Sequence, residues 1–236
     1  MQGTLTRYGA PLPSLETLLG TLQFVPDVGR WRDELARSPD PYARACLDRY
    51  LLIQQSLVDQ RLWGASILDL GCGSGFFSFC LGVSIASEVT AVDDGRAVPF
   101  YGESASVAPL KTACAAYGLG HVNVAERAIE SLLAECAGRR QWDAVLLLDV
   151  LHHMYTGYGD DPSVGKLTEP EIEGLVRRLG LVTGRALYFS IDAGRADPEK
   201  TLGLLQSQGG FGLPKPLGMT AAAAGPARTL WELRKP

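Results

Sequence analysis

The segment best suited to hold a ligand is a glycine-rich loop that follows a short apolar run. It reads ILDLGCGSGFFSF over residues 67–79, and its glycines alternate at Gly71, Gly73 and Gly75. Glycine permits positive φ and lets the backbone approach a ligand closely, and a helix beginning near Phe76 would turn its free N–H groups toward that ligand. An acid, Asp69, stands two residues before the first glycine. The loop therefore predicts a small-molecule site between a strand and a helix.

Two classes of nucleotide-containing ligand use such a loop, and the sequence distinguishes them. Dinucleotide-binding loops read G-x-G-x-x-G and place a pyrophosphate at the helix N-terminus. Here the sixth position is Phe76, and the carboxylate of Asp69 would repel a pyrophosphate. S-adenosyl-L-methionine (SAM) carries an ammonium, a carboxylate and a sulfonium but no phosphate, so an acid beside the loop suits it. The loop favours SAM over a dinucleotide.

The motif DLGCGSG resembles the first motif of the class I SAM-dependent methyltransferases, and the resemblance extends over residues 67–235. It implies that the methionine end of SAM is held by Asp69, Gly71, Cys72, Gly73 and Gly75. It also implies that Asp93, at the end of EVTAVD, accepts hydrogen bonds from both ribose hydroxyls, which suits the two oxygens of a carboxylate. Asp94 is its neighbour on the loop. Ala128 and Ile129 are expected at the adenine edge, although the family usually has a polar residue where Ala128 stands.

Acids and histidines follow the fourth and fifth apolar runs, where the carboxyl ends of parallel strands are expected to meet. The run WDAVLLLDVLHHM carries Asp149, His152 and His153, and RALYFSIDAG carries Asp192. Asp149 is expected to contact the cofactor, and the resembling family often has a histidine pair at this point.

Methyl transfer is an in-line displacement in which a base removes the proton of a hydroxyl acceptor. Because histidine titrates near neutral pH, His152 is the predicted base, with Asp192 orienting it or the substrate. Activity would then rise with pH through the ionisation of this histidine. The alternative is that one histidine, His153 in particular, packs as a core residue.

Alternating β and α patterns supply the framework for these side chains. From residue 67 onward, strand-length apolar runs alternate with helix-length segments, as in a parallel sheet covered by helices on both faces. The runs are SILDL, EVTAVD, HVNVAE, DAVLLLDVL, RALYFSID and RTLWELR. Thr168 is a predicted helix N-cap, followed by Pro170. Pattern and resemblance together predict an α/β fold: a doubly wound, mostly parallel seven-stranded sheet of the Rossmann-like, SAM-binding kind.

The first part of the chain differs in kind from the rest. Two apolar stripes at helical spacing, separated by Pro39 and Pro41, predict an N-terminal helical cap over residues 1–62. The catalytic domain would then comprise residues 63–236. The cap stripe either packs as core or forms a lid over the cofactor cleft. The cap residues of most interest for a substrate are Tyr8, Trp31, Arg44 and Tyr50.

Two further segments are predicted to be long loops. Residues 94–103 follow the ribose acid and form either part of the substrate pocket or a surface insertion. Residues 154–166 are rich in glycine and form either a lid or a solvated loop. Long loops without secondary structure of their own often carry function.

Composition limits the partners. The 236 residues carry a net charge of −4 with no basic stripe, which disfavours nucleic acid because phosphate neutralisation dominates that affinity. Five cysteines without a C-x-x-C pair support neither a zinc site nor a disulfide framework, and no metal is predicted. The N-terminus lacks the order of a signal peptide, and no apolar run approaches the ~20 residues that span a bilayer. A cytoplasmic protein without a membrane partner is expected, as a homo- or hetero-oligomer or a monomer.

These observations predict an enzyme of the EC 2.1.1 type, a SAM-dependent methyltransferase. Its acceptor would be an oxygen or nitrogen of a small molecule, with natural-product biosynthesis as a setting. One alternative is an enzyme that uses the same SAM-binding fold for another displacement or a ring closure. A second is a noncatalytic SAM-fold subunit of a larger assembly.

Overall fold

The computed structural model describes residues 41–220 and 227–236, in which strands and helices alternate. In these ranges the strands are β1 Ser66–Leu70, β2 Glu88–Asp93, β3 Val122–Glu126, β4 Trp142–Leu148, β5 Thr183–Ser190, β6 Lys215–Thr220 and β7 Arg228–Arg234. The helices are α1 Pro41–Asp59, α2 Phe76–Ser84, α3 Val98–Tyr101, α4 Ala108–Ala116, α5 Ile129–Cys136, α6 Leu151–Thr156, α7 Glu169–Val182 and α8 Pro198–Ser207. Short 3-10 turns follow α3 and α6, at Gly102–Ala105 and Tyr158–Asp160.

The strands form one sheet in the order β3-β2-β1-β4-β5-β7-β6. Strands β1 to β5 all run parallel to one another, whereas β7 is antiparallel to both of its neighbours, β5 and β6. The prediction of a mostly parallel seven-stranded α/β sheet is confirmed. The order reverses beside β1, so the carboxyl ends of β1 and its neighbours border the crevice where such sheets bind ligands.

Helices cover both faces of the sheet because the strands are apolar on both sides. On one face, Phe79 of α2 and Leu110 of α4 pack with Ile67 of β1. On the other, Leu175 of α7 and Leu205 of α8 pack in the cluster that contains β-strand residues such as Leu68 and Val145. Continuous burial of this kind is typical of a parallel sheet.

Helix α1 belongs to the first of these layers. Leu47, Tyr50 and Leu57 of the predicted stripe are 3%, 2% and 0% exposed and join the same cluster as Ile67. The described part of the predicted cap therefore packs as core, and the division of the chain at residue 62 stays a prediction. Tyr8 and Trp31 lie outside the described residues, as does the side chain of Arg44.

Two local predictions need correction. The structure adds strand β6, which the apolar pattern misses because Pro216 and Gly218 interrupt it. Proline is tolerated there because β6 is an edge strand. The predicted loop 154–166 begins inside α6, and the predicted loop 94–103 contains α3.

Burial explains why the second of the predicted loops is ordered locally. Met154 and Tyr158 are 1% and 9% exposed, so apolar contact anchors the segment on either side of Gly157. The amide of Tyr158 also donates to the carbonyl of Val164 at 2.9 Å, which closes the turn that follows.

Helix α7 begins where the sequence predicts. Thr168 is its N-cap, and its amide donates to Glu171 Oε2 at 2.7 Å in a capping box. Pro170 stands in the first turn, where its missing N–H leaves no acceptor unsatisfied. Among the described residues, no helix combines the length and apolar character needed to cross a membrane.

Candidate functional site

The β1–α2 loop depends on glycine at its two ends. Gly71 and Gly75 have φ of +73° and +87°, which side chains rarely adopt. A Cβ on Gly71 would lie well inside 3.0 Å of a Val150 methyl, and one on Gly75 would lie 2.5 Å from Leu110 Cβ. The loop therefore packs against the side chains of Val150 and Leu110 with no room for a side chain of its own at these two positions. Gly73, at φ +51°, lies between them.

Asp69 is a buried acid beneath this loop. Its carboxylate is held by the hydroxyl of Ser78, in the first turn of α2, which donates to Oδ2 at 2.6 Å. Burial raises the pKa of Asp69 to about 6 against the hydrogen bond from Ser78, and the nearby Asp93 adds to the rise. A cation beside Asp69 would reverse this effect, because an opposite charge favours the ionised carboxyl.

Asp93 ends strand β2 and faces the same loop. Its Oδ2 accepts from the amide of Gly73 at 3.0 Å, and its Oδ1 accepts from the amide of Gly95 at 2.8 Å. Burial raises the pKa of Asp93, while these amides act in the opposite direction. The carboxylate thus joins the β1–α2 loop to the β2–α3 loop.

An open cleft of about 490 Å³ lies on the Asp69 side of the loop. We refer to it as the Asp69 cleft; its walls are Cys46, Arg49, Asp69, Gly71, Cys72, Gly73, Ser74, Phe76, Phe77, Leu148 and Asp149. Five of these wall residues were predicted to contact the cofactor at or beside its methionine end: Asp69, Gly71, Cys72, Gly73 and Asp149. Gly75 stands behind them as the N-cap of α2. Arg49, Phe76 and Phe77 in these walls were not predicted.

A second, smaller pocket of about 210 Å³ lies on the other side of Gly71. We refer to it as the Asp93 pocket; its walls are Gly71, Asp93, Asp94, Arg96, Ile129, Glu130, Met154 and Tyr158. Ile129 and Asp94, which the sequence assigns to the cofactor, lie in the same wall as Asp93. Ala128 is the N-cap of α5 and does not line this pocket. The sequence analysis did not identify Arg96, Glu130 or Tyr158.

Asp149 ends β4 in a left-handed conformation, with φ of +58°, and is surrounded by cationic groups. Arg49 of α1 and Arg228 of β7 each contact its Oδ2 at 2.5 Å through Nη1. The hydroxyl of Ser190 donates to Oδ1 at 2.9 Å. Burial alone would raise the pKa of Asp149, but the two arginines and the hydrogen bonds hold it below its ordinary value.

Asp192 belongs to the same network. Its Oδ2 accepts from Arg228 Nη2 at 3.0 Å, and its Oδ1 accepts from the amide of Gly194 at 2.9 Å. The structure therefore joins Asp192 to Arg228, whereas the sequence predicted a contact with His152 or the substrate. No hydrogen bond between His152 and Asp192 occurs among the described residues. The signal that could have found Arg228 is the need of two buried acids for a counter-ion.

The histidine pair lies on α6, just beyond Asp149. His152 is 3% exposed, and its buried Nδ1 has no hydrogen-bond partner among the described residues. Burial, with the neighbouring His153, lowers the pKa of His152 to about 3. The ring centroids of the two histidines are 4.1 Å apart.

His153 lines neither cavity but packs against Tyr158, a wall residue of the Asp93 pocket. Its ring stacks on Tyr158, with centroids 4.5 Å apart and planes at 10°. Burial lowers the pKa of His153 to about 4, and Arg195 adds to this. Both imidazoles are therefore neutral near pH 7. Among the described residues, no group of three or more potential ligands is placed to hold a metal ion.

Comparisons with known proteins identify the fold. No protein-family model matches the chain, and neither does any curated protein sequence. Among solved structures, magnesium protoporphyrin IX methyltransferase from Synechocystis PCC 6803 with bound SAM is similar, with a TM-score of 0.59 and 19% identity. That likeness covers 81% of this chain and 79% of the other.

A second similar structure is the bifunctional kinase-methyltransferase WbdD, with a TM-score of 0.61 and 20% identity. The likeness covers 94% of this chain but 46% of WbdD. Likenesses at this level of identity are evidence of a common fold. The chain has the fold of these SAM-dependent methyltransferases, the class I methyltransferase fold.

Proposed function

We propose that the chain is a SAM-dependent methyltransferase whose cofactor spans the Asp69 cleft and the Asp93 pocket. The observation that carries this proposal is that Gly71 lines both cavities, with the buried Asp69 in one and the half-buried Asp93 in the other. Asp69 suits the ammonium of the methionine end, and Asp93 suits the vicinal hydroxyls of the ribose. Both stand at the carboxyl ends of adjacent parallel strands, where this kind of sheet binds ligands.

The residues present fit SAM better than a dinucleotide. A Cβ at Gly71 would clash with Val150, so only glycine lets the backbone lie at this point, which lines both cavities. Asp69 and Asp93 both have a raised pKa in the free protein, and a cationic or hydroxyl-bearing ligand relieves the cost of their burial. A pyrophosphate between the same two acids would instead be repelled.

The cofactor contacts follow from these positions. The methionine end is assigned to Asp69 and to the loop of Gly71, Cys72, Gly73 and Gly75, with Asp149 at the far wall of the Asp69 cleft. The nucleoside is assigned to Asp93, Asp94, Ile129 and the start of α5 at Ala128. When bound, SAM supplies an electrophilic methyl group, and the protein has to align an acceptor with it.

We assign removal of the acceptor's proton to His152. This neutral imidazole keeps a lone pair available throughout the range between about pH 5 and pH 8. Burial, His153 and Arg228 oppose its protonated form, and Asp149 and Asp192 offset part of that cost electrostatically. Asp192 acts indirectly, because its carboxylate accepts a hydrogen bond from Arg228 and not from His152. His153 stacks on Tyr158 and is a positioning residue.

The low pKa of His152 changes the expected pH dependence. A histidine that titrated near 6.5 would give activity rising with pH through that value. Burial lowers the pKa of His152 to about 3, so the activity should show no histidine step between about pH 5 and pH 8.

The proposed acceptor is an oxygen or nitrogen of a small molecule, in a cytoplasmic biosynthetic setting. The support is the lining of the Asp69 cleft, where Phe76 and Phe77 lie beside a few charged groups, since small-molecule sites combine an apolar lining with a small number of polar groups. The net charge of −4 is the argument against a nucleic-acid acceptor. The solved relative described above takes magnesium protoporphyrin IX, which is also a small molecule.

Transfer of a labelled methyl group tests the proposal. The wild-type protein is incubated with SAM labelled in its methyl group and a metabolite extract, and the labelled product is isolated. His152→Ala should lower turnover by about 10²–10⁴-fold while SAM affinity is unchanged. His121→Ala is the matched control, because His121 contacts the carbonyl of Gly82 away from both cavities.

Full turnover by folded His152→Ala would remove this residue from the chemistry and leave it a core residue. A transferred group other than methyl, or intramolecular ring closure without an acceptor, would replace methyl transfer with another displacement on the same fold. Absence of any reaction by a protein that binds SAM would favour a noncatalytic subunit.

A further inference from the structure

An ion cluster borders the Asp93 pocket on the side of the β2–α3 loop. Arg96 donates from Nε to Asp94 Oδ2 at 2.6 Å and from Nη1 and Nη2 to the two oxygens of Glu130 at 3.0 and 3.2 Å. The three side chains are 21%, 23% and 25% exposed, so each keeps partial contact with solvent. A bidentate pair of this kind fixes both the position and the plane of the guanidinium.

The guanidinium also lies over an aromatic ring that faces the pocket. Its central carbon is 5.8 Å from the ring centroid of Tyr158, which is within the range of a cation–π contact. The imidazole of His153 stacks on the same ring, with centroids 4.5 Å apart. A planar cation thus occupies one face of a rigid aromatic ring, next to the acid proposed for the ribose.

The Asp93 pocket is too small for a nucleoside in this arrangement. Its volume of about 210 Å³ includes space that is open to solvent, whereas small-molecule sites are typically about 300–1,000 Å³. Arg96, Glu130 and Tyr158 are all part of its wall. Arg96 has the longest of these side chains and the most χ angles, so the pocket can enlarge by their rotation without a change in the backbone once its ion pairs break.

We propose that Arg96 is a latch that holds the Asp93 pocket closed in the free protein and that the adenine ring of the cofactor takes the place of the guanidinium against Tyr158. This inference rests on the proposed function for the identity of the ligand. Adenine, like guanidinium, is planar and stacks on an aromatic face. The ion pairs of Arg96 with Asp94 and Glu130 therefore compete with cofactor binding.

A competing closed state weakens the observed affinity by the fraction of molecules that are open. Removing the latch should therefore tighten binding, whereas removing an ordinary ligand-binding residue weakens it. Salt adds a second signature, since ion pairs at partly exposed sites weaken when the Debye length shortens. High salt should open the wild-type pocket and leave a latch-free variant unaffected by this mechanism.

Binding of S-adenosylhomocysteine to the full chain tests the latch. Calorimetry and stopped-flow fluorescence are performed on the wild type, Arg96→Ala and Glu130→Gln at about 50 mM and about 500 mM salt. Arg96→Ala should bind about 3- to 30-fold more tightly than the wild type at low salt, with faster association, and Glu130→Gln should change in the same direction. The ratio between wild type and variant should shrink at high salt.

Arg127→Ala is the matched control. Arg127 pairs with Glu135 at 2.8 Å on the same side of the sheet, but it lines neither cavity. Its loss should leave affinity unchanged.

Weaker binding by Arg96→Ala than by the wild type would overturn the latch while leaving the proposed function intact. An affinity ratio between wild type and variant that is the same at both salt concentrations would do so as well. Binding by Arg96→Ala alone would support both. Absence of binding by the wild type and by every variant would overturn the cofactor assignment, and the latch with it.

Discussion

Replacing Gly71 by alanine tests whether the β1–α2 loop is shaped by the close approach described above. The added Cβ meets two unfavourable conditions. The new alanine would have to adopt the φ of +73° of Gly71, which costs an L-residue about 1–2 kcal/mol. It would also clash with a methyl of Val150, a residue that is 5% exposed, and overpacking in a core costs about 1–3 kcal/mol. Gly71→Ala should therefore lower the free energy of unfolding by about 2–5 kcal/mol.

Two further variants separate these contributions. Gly118→Ala has a similar φ of +63° but no atom within 4 Å of the new Cβ, so it should show the backbone cost alone. Val150→Ala removes the clashing methyl and leaves only Val150 Cβ at 3.5 Å, an ordinary contact. The double variant should thus be more stable than the sum of the single changes by about 1–3 kcal/mol, the size of the clash.

Urea unfolding at equilibrium is measured for the wild type and all four variants, with the free energy extrapolated linearly to water. The reasoning would be refuted if Gly71→Ala lost no more stability than Gly118→Ala. Strict additivity of Gly71→Ala and Val150→Ala would refute it as well, because the two residues would then not be in contact.

Two other outcomes follow from the charged residues. Arg49→Met should lower the free energy of unfolding by about 3 kcal/mol, because Asp149 then keeps a buried charge with one arginine fewer. In an Asp149→Asn background, the same change should have a much smaller effect on the free energy measured by urea unfolding. His152 has a folded pKa lowered to about 3, so its contribution to stability is present above its unfolded value near 6.5 and is lost as pH falls toward 3. Unfolding free energies measured from about pH 7 to about pH 4 should therefore decline less steeply in His152→Asn than in the wild type, and equal slopes would contradict the burial of a neutral imidazole.

The parts of the fold with local signals could be predicted from the sequence. The glycine loop is predictable because its backbone requires residues without a side chain, and Thr168 because an N-cap is a local interaction with Glu171. The parallel strands are predictable because burial on both faces leaves continuous apolar runs. Strand β6 is not, since Pro216 and Gly218 interrupt its pattern.

The ionic parts of the site depend on contacts between distant positions. Arg49 and Asp149 are 100 residues apart in the chain, and nothing near either of them indicates the other. Arg96 and Glu130 likewise meet only because β2 and β3 are neighbours in the sheet. The sequence identifies the acids of the site, but their partners follow from the folded geometry.

Burial is the second property that the sequence did not supply. The pair His152 and His153 is a reasonable prediction for a base because histidine ordinarily titrates near neutral pH. The fold places His152 at 3% exposure beside another imidazole, and this lowers its pKa to about 3. The residue type was predicted, but its protonation behaviour depends on the packing of α6.

Calorimetric titration with SAM, S-adenosylhomocysteine and NAD tests the cofactor assignment most directly. The account predicts micromolar binding of SAM or its demethylated product, a rise in thermal stability with ligand, and no comparable effect of NAD. Asp93→Ala should weaken binding by about 1–3 kcal/mol without loss of folding, because it removes the carboxylate proposed for the ribose. Stabilisation by NAD without binding of SAM would contradict the account.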